Sequence, residues 1–152
     1  MGYQILLSNA AIFLCLPGCI YEPRPTRLKP GVTFEVYTVA AKSSPNTKSL
    51  TDPATMSVLN LVTPPVVTAA NIRDATVTID ENNHVSFSVN IDEPSAPSAA
   101  RLESATAVFG TKLAIVINGE ITAVPSVVAP ISSPFHVSGG SLSAGYWEEL
   151  VE

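Results

Sequence analysis

Cys15, Cys19, His84 and His136 are all the thiols and imidazoles in the chain. Zinc sites draw on four such ligands at close spacing, and two isolated histidines with two N-terminal cysteines do not supply them. His84 adjoins a run of turn residues and His136 lies in a short apolar stretch, so both read as surface side chains. A nucleophilic serine would be expected within Gly-x-Ser-x-Gly on a sharp strand-to-helix turn, and that pattern is absent. Ser138 stands before Gly139-Gly140 and reads as part of a structural turn ahead of a helix. Asp80-Glu81-Asn82-Asn83 has the oxygen ligands of a calcium loop but lacks its glycine and distal glutamate, so it reads as a hairpin turn. Glu148 and Glu149 are sequence neighbours and point apart on a helix, which excludes paired acid–base work. No phosphate-cradling glycine loop occurs. The chain is read as having no catalytic residues, no metal and no cofactor.

The distinctive chemistry lies at the N-terminus. Ile5 to Leu16 reads ILLSNAAIFLCL. This run is shorter than the roughly 20 residues a membrane-spanning helix needs, and it suits the apolar region of an export signal. It ends in Leu16-Pro17-Gly18-Cys19, which looks like a lipobox: an apolar residue three before a cysteine and a small residue directly before it. In that motif diacylglycerol alkylates the thiol, the peptide is cut before the cysteine, and the new amine is usually acylated, commonly with palmitate. Each buried methylene contributes about 0.8 kcal/mol, so one chain anchors marginally and two or three hold firmly. Residues 1–18 are therefore read as a lipoprotein signal peptide and Cys19 as the lipidated residue. The alternatives are an ordinary signal peptide, or a buried strand with two inert cysteines. Cleavage would remove Cys15 and block Cys19, leaving a mature domain with neither free thiol nor disulfide. Ile20 follows Cys19 where inner-membrane lipoproteins commonly carry Asp, which leans toward the outer membrane.

Composition sets the remaining bounds. The chain has 152 residues, 46% hydrophobic and 14% charged, enough apolar content for one core and too much for a disordered chain. The net charge is −5 with only 8 Lys and Arg. These do not cluster, so phosphate neutralisation and nucleic-acid binding are excluded. Residues 19–31 hold Pro23, Pro25 and Pro30 with Arg24, Arg27 and Lys29, and read as an extended tether. Residues 32–152 read as the domain.

Within that domain, Val32, Phe34 and Val36 share one face of a strand over 32–39. Residues 41–55 are polar and loop-like. Ala75, Val77 and Ile79, then Val85, Phe87, Val89 and Ile91, alternate with polar residues and predict a hairpin with one buried face. From Pro94 to Phe109 the period becomes helical: Leu102, Ala105 and Phe109 recur on one side, Ser95 or Ser98 caps the start and Gly110 the end. Leu113 to Ile117 is a buried strand. Asn118-Gly119 predicts a type I′ turn, with Glu120 to Val124 returning. Phe135 to Ser138 predicts a last strand and Gly139-Gly140 a turn. Ser143 caps a final helix, with Leu142 and Trp147 placed as a staple across its start. The sum is an α+β fold: a two-layer sandwich of a mostly antiparallel sheet with two helices on one face.

The stretch from Lys112 to Gly140, KLAIVINGEITAVPSVVAPISSPFHVSGG, resembles the head subdomain of the periplasmic region of the SecD and SecDF export proteins. That family carries a segment of the form L-A-I-V-L-D-G-x-V-x-x-A-P, then a spaced Ile, then I-S-G-G. Leu113 to Val116, the Asn118-Gly119 turn, Pro125, Ile131 and Val137 to Gly140 fall in the same order. The hairpin upstream and the helix holding Thr106 fit the same layout, so the resemblance covers about residues 66 to 152. It implies the fold and a contact role with exported polypeptides or an envelope protein. It does not imply translocase work, because the family's proton-coupled transmembrane helices have no counterpart after the signal. The expectation is a non-catalytic, periplasm-facing lipoprotein; the alternative is a structural envelope lipoprotein without an export role.

Overall fold

The computed structural model describes residues 25–79, 81, 85–91, 97–131, 135–138 and 144–152. Two antiparallel sheets and two helices close on a shared core. The larger sheet contains β1 (Phe34–Ala40), β2 (Thr47–Thr51), β3 (Val58–Val62), β4 (Val67–Thr68), β7 (Leu113–Ile117) and β8 (Glu120–Ala123). Its order is β2-β3-β1-β7-β8, with β4 pairing the first half of β1. The smaller sheet is β5 (Ile72–Ile79), β6 (Val85–Ile91) and β9 (Phe135–Ser138), with β6 central. The helices are α1 (Pro97–Ala105) and α2 (Ala144–Glu149).

Alternation places the core. On β1, Phe34 and Val36 are fully buried on one face, with Leu113, Ile115 and Ile117 of β7 beside them. Ala75, Phe87, Val89 and Ile91 of the smaller sheet meet them, and Leu102 of α1 and Trp147 of α2 join the same cluster. Phe34 and Phe87 join the two sheets with ring centroids 6.1 Å apart, and Phe87 stacks on Trp147 at 4.6 Å. The opposite face of the larger sheet has its own small core of Tyr37, Leu61, Ala114, Val116 and Ile121. Because β7 is buried on both faces, all five of its residues are apolar and none alternates. The sheet curls around this second core and brings β2 beside β8.

Three local readings change. The polar stretch 41–55 contains a strand, β2, paired with β3 from Thr47–Val62 to Thr51–Val58. Only Leu50 is large and apolar in TKSLT, and a polar strand at a sheet edge carries almost no alternation signal. The first helix ends at Ala105, so Phe109 falls outside it and is 80% exposed instead of lining the core. Thr106 makes the last helical bond: its amide donates to the Leu102 carbonyl at 3.0 Å, its hydroxyl donates to the same carbonyl at 2.8 Å and accepts from the Ile131 amide. The backbone then turns to Gly110, whose φ of +84° directs its amide to Val127 instead of capping the helix. At the start of α1, Pro97 takes the first helical position, where a missing amide hydrogen costs nothing. Ser98 is therefore inside the helix and not its cap, and Ser95 lies outside the described residues.

Residues 25–31, the described part of the segment read as a tether, are extended but lie on the domain. Thr26 exchanges backbone hydrogen bonds with Ala75 of β5 at 2.8 and 2.7 Å. The Lys29 amide donates to the Leu150 carbonyl and the Glu152 amide to the Arg27 carbonyl, each at 2.9 Å. Leu28 packs against the main core.

Candidate functional site

Of the residues singled out by chemistry, Cys19, Asp80, Asn82, Asn83, His84, Gly139 and Gly140 lie outside the described residues, as do Leu142 and Ser143. His136 sits on β9 opposite Ser88, and Ser138 opposite Ser86. Glu148 and Glu149 are both exposed on α2. Among the described residues, no three His, Cys, Asp or Glu side chains are placed to hold a metal ion.

Asn118 and Gly119 form the β7–β8 turn with φ of 49° and 84°. The turn is fastened to the start of β1. The Thr33 amide donates to Asn118 Oδ1 at 3.1 Å, and the Asn118 amide donates to the Thr33 carbonyl at 3.0 Å. This pair fixes the end of the larger sheet at which β1 begins.

The second fastening is Thr106, 1% exposed. Its Oγ1 accepts a hydrogen bond from the Ile131 amide at 2.8 Å. One hydroxyl thus satisfies a backbone donor 25 residues away and holds the segment between β8 and β9 against α1. Sequence reasoning noted the helix holding Thr106 but not this contact; a lone threonine in a polar helical stretch gives no signal for it.

A cluster of ionisable side chains, also missed by sequence reasoning, lies over the second core. Tyr37 of β1 donates its phenol hydrogen to Glu35 Oε2 at 2.9 Å, and Lys48 of β2 donates to the Tyr37 oxygen. Lys48 Nζ is 3.8 Å from Glu35 Oε2 and lies 4.2 Å from the Tyr37 ring centroid. Burial pushes the Tyr37 phenol above its ordinary 10.0; the Lys48 hydrogen bond opposes that shift, and Glu35 adds to it. A phenol held protonated between a lysine and a carboxylate locks β1 to β2. β3 lies between these strands, so only long side chains join them. The signal in the sequence is Glu35 and Tyr37 two apart on one strand face, but Lys48 lies in the stretch that read as loop.

The hairpin tip between β2 and β3 is also tightly built. Asp52, 7% exposed, accepts from the Ala54 amide at 3.0 Å and the Thr55 hydroxyl at 2.8 Å. Its own amide donates to the Ser57 carbonyl, and the Met56 amide donates to the Asp52 carbonyl. Met56 is held at a φ of 58°.

Two antiparallel sheets and two helices around a main core, with a second small core on the far face of the larger sheet, make this an α+β sandwich domain fastened at Thr106 and the Asn118-Gly119 turn. Residues 45–145 match the model of the SecDF P1 head subdomain, more than half of the chain, and the chain belongs to that family. Two solved structures are similar to it. One, of the membrane component SecDF that enhances protein export, is 20% identical with a TM-score of 0.56, over 83% of this chain and 61% of that one. The other, SecDF in a super-membrane-facing form, is 19% identical with a TM-score of 0.56, over 79% of this chain and 18% of that one. These likenesses show the shared fold, and the chain spans less than two-thirds of either structure's length. No curated protein matches the chain. Among the described residues no helix is long and apolar enough to cross a membrane.

Proposed function

We propose that this protein is a non-catalytic lipoprotein, anchored through Cys19 on the periplasmic side of the cell envelope, whose SecDF-head domain contacts exported polypeptides. The observation that carries the reading is the family match over residues 45–145 on a chain whose first residues end in Leu16-Pro17-Gly18-Cys19. Among the described strands the smaller sheet ends at β9, the edge at which strand addition would take up an extended chain.

Two measurements test it. Metabolic palmitate labelling should mark the wild type and leave Cys19→Ala unlabelled, with its apolar leader of residues 1–18 uncleaved. Crosslinking in cells from positions along β9 should recover exported precursors or translocon components. If a lipidated protein recovers neither while the envelope is altered on deletion, the structural envelope reading replaces this one.

A further inference from the structure

Among the described residues, six large apolar side chains are strongly exposed: Met56, Val58, Ile79, Val108, Phe109 and Val128. Single exposed apolar residues are ordinary, but a contiguous set marks a contact surface. Strand register shows that five of the six gather. β1 runs from Phe34 to Ala40, and Val39 and Ala40 pair with Leu61 and Asn60 of β3. Two residues further out along β3, Val58 therefore lies beyond the end of β1, with Met56 on the tip past it. On the other side of β1, Thr38 pairs with Leu113, and the Val39 amide binds the Lys112 carbonyl. Continuing outward from Lys112 leads to Gly110, Phe109 and Val108. The Gly110 amide binds Val127 and the Val127 amide binds Thr111, which sets Val128 beside them. Met56, Val108, Phe109 and Val128 on three loops, and Val58 at the start of β3, thus lie at one end of the larger sheet. The opposite end holds the Asn118-Gly119 turn.

We infer that this end is a membrane-contact surface that inserts its apolar side chains into an anionic phospholipid interface. Three features select a lipid surface over other occupants. Four of the side chains stand on loops and the fifth at a strand end, so they can meet a plane together. The tip carrying Met56 and Val58 is fixed by Asp52, so presenting it costs no ordering entropy. The charge also fits: the chain is −5 overall, yet Lys42, just past β1, and Lys112, just before β7, are both exposed at this end. Asp52 is turned inward. Apolar side chains flanked by two lysines match the composition of interfacial anchors on anionic lipid. This contact goes beyond the Cys19 anchor, since it sets which end of the domain faces the bilayer.

The test uses the full chain on vesicles of phosphatidylglycerol and phosphatidylcholine with brominated acyl chains. Trp147 is the sole tryptophan and is 1% exposed, so it forms a constant background. Phe109→Trp adds an indole at the proposed contact, and Glu120→Trp adds one at the opposite end. The expected result is quenching of the indole at 109 by about twofold, the one at 120 unchanged. Lys42→Gln combined with Lys112→Gln should weaken association of the mature chain without leader or lipid by about thirtyfold. No quenching at 109 on lipid-bound protein overturns the inference and leaves the Cys19 anchor untouched. Equal quenching at both positions overturns it too, as does shielding of the indole at 109 without lipid together with a dimer in sedimentation. Failure of palmitate labelling, by contrast, bears only on the anchor.

Discussion

The amide of Ile131 donates to the hydroxyl of Thr106 at 2.8 Å, and that same hydroxyl donates to the Leu102 carbonyl at 2.8 Å. Helix end and distant loop are therefore closed by one oxygen in the interior. Thr106→Val keeps the shape and removes the oxygen, leaving the Ile131 amide without this partner. The expected cost is about 1–3 kcal/mol in urea unfolding, and Thr106→Ser should recover most of it.

Trp147 stacks on Phe87 with planes 15° apart and is met edge-on by Tyr146. Trp147→Ala should destabilise the domain by about 3–5 kcal/mol, because the rings around it cannot collapse into the space. Trp147→Phe should cost less and abolish the near-ultraviolet dichroism of the indole. An unchanged unfolding midpoint for Trp147→Ala would show that α2 does not share the common core.

Tyr37 gives the fold an alkaline limit. Its pKa is raised in the folded state, chiefly by burial, so folding favours the protonated phenol. The contribution is full below the ordinary value of 10.0 and is lost as pH rises through the higher folded value. Urea midpoints should therefore fall above about pH 10, and Tyr37→Phe should flatten that fall. At neutral pH the same substitution should cost about 1 kcal/mol, since Lys48 and Glu35 are exposed enough to turn to water.

Gly119 and Met56 test the backbone from opposite directions. Nothing lies within 4 Å of a Cβ built on Gly119, yet its φ is +84°. Gly119→Ala should thus cost about 1–2 kcal/mol through conformation alone. Met56→Gly removes a side chain from a left-handed position and should be neutral or stabilising by up to about 1 kcal/mol in thermal unfolding.

What could be read from residue order followed from the strength of each local pattern. The β5–β6 hairpin was legible because Val85, Phe87, Val89 and Ile91 alternate without a break and Phe87, Val89 and Ile91 enter the core. The β7–β8 hairpin was legible because a wholly apolar strand runs into Asn-Gly. β2 was not, because Thr47 to Thr51 gains its place from backbone pairing with β3 and from Lys48 reaching Tyr37, neither of which a local pattern records. The separation into two sheets was also hidden, since alternation gives a buried face but not the partner it meets. At the candidate sites, Thr106 and Asp52 act through bonds to backbone groups whose positions exist only after folding.

The stitching of Arg27 to Glu152 and of Lys29 to Leu150 leaves entry and exit of the domain side by side. A module with both ends at one doorway can be spliced into a loop of a larger protein, or hung from a short leader, without altering any strand order. It can also be recut: joining residues 25 and 152 and reopening the ring in the exposed connection after Lys42 should yield a permuted chain with the same architecture.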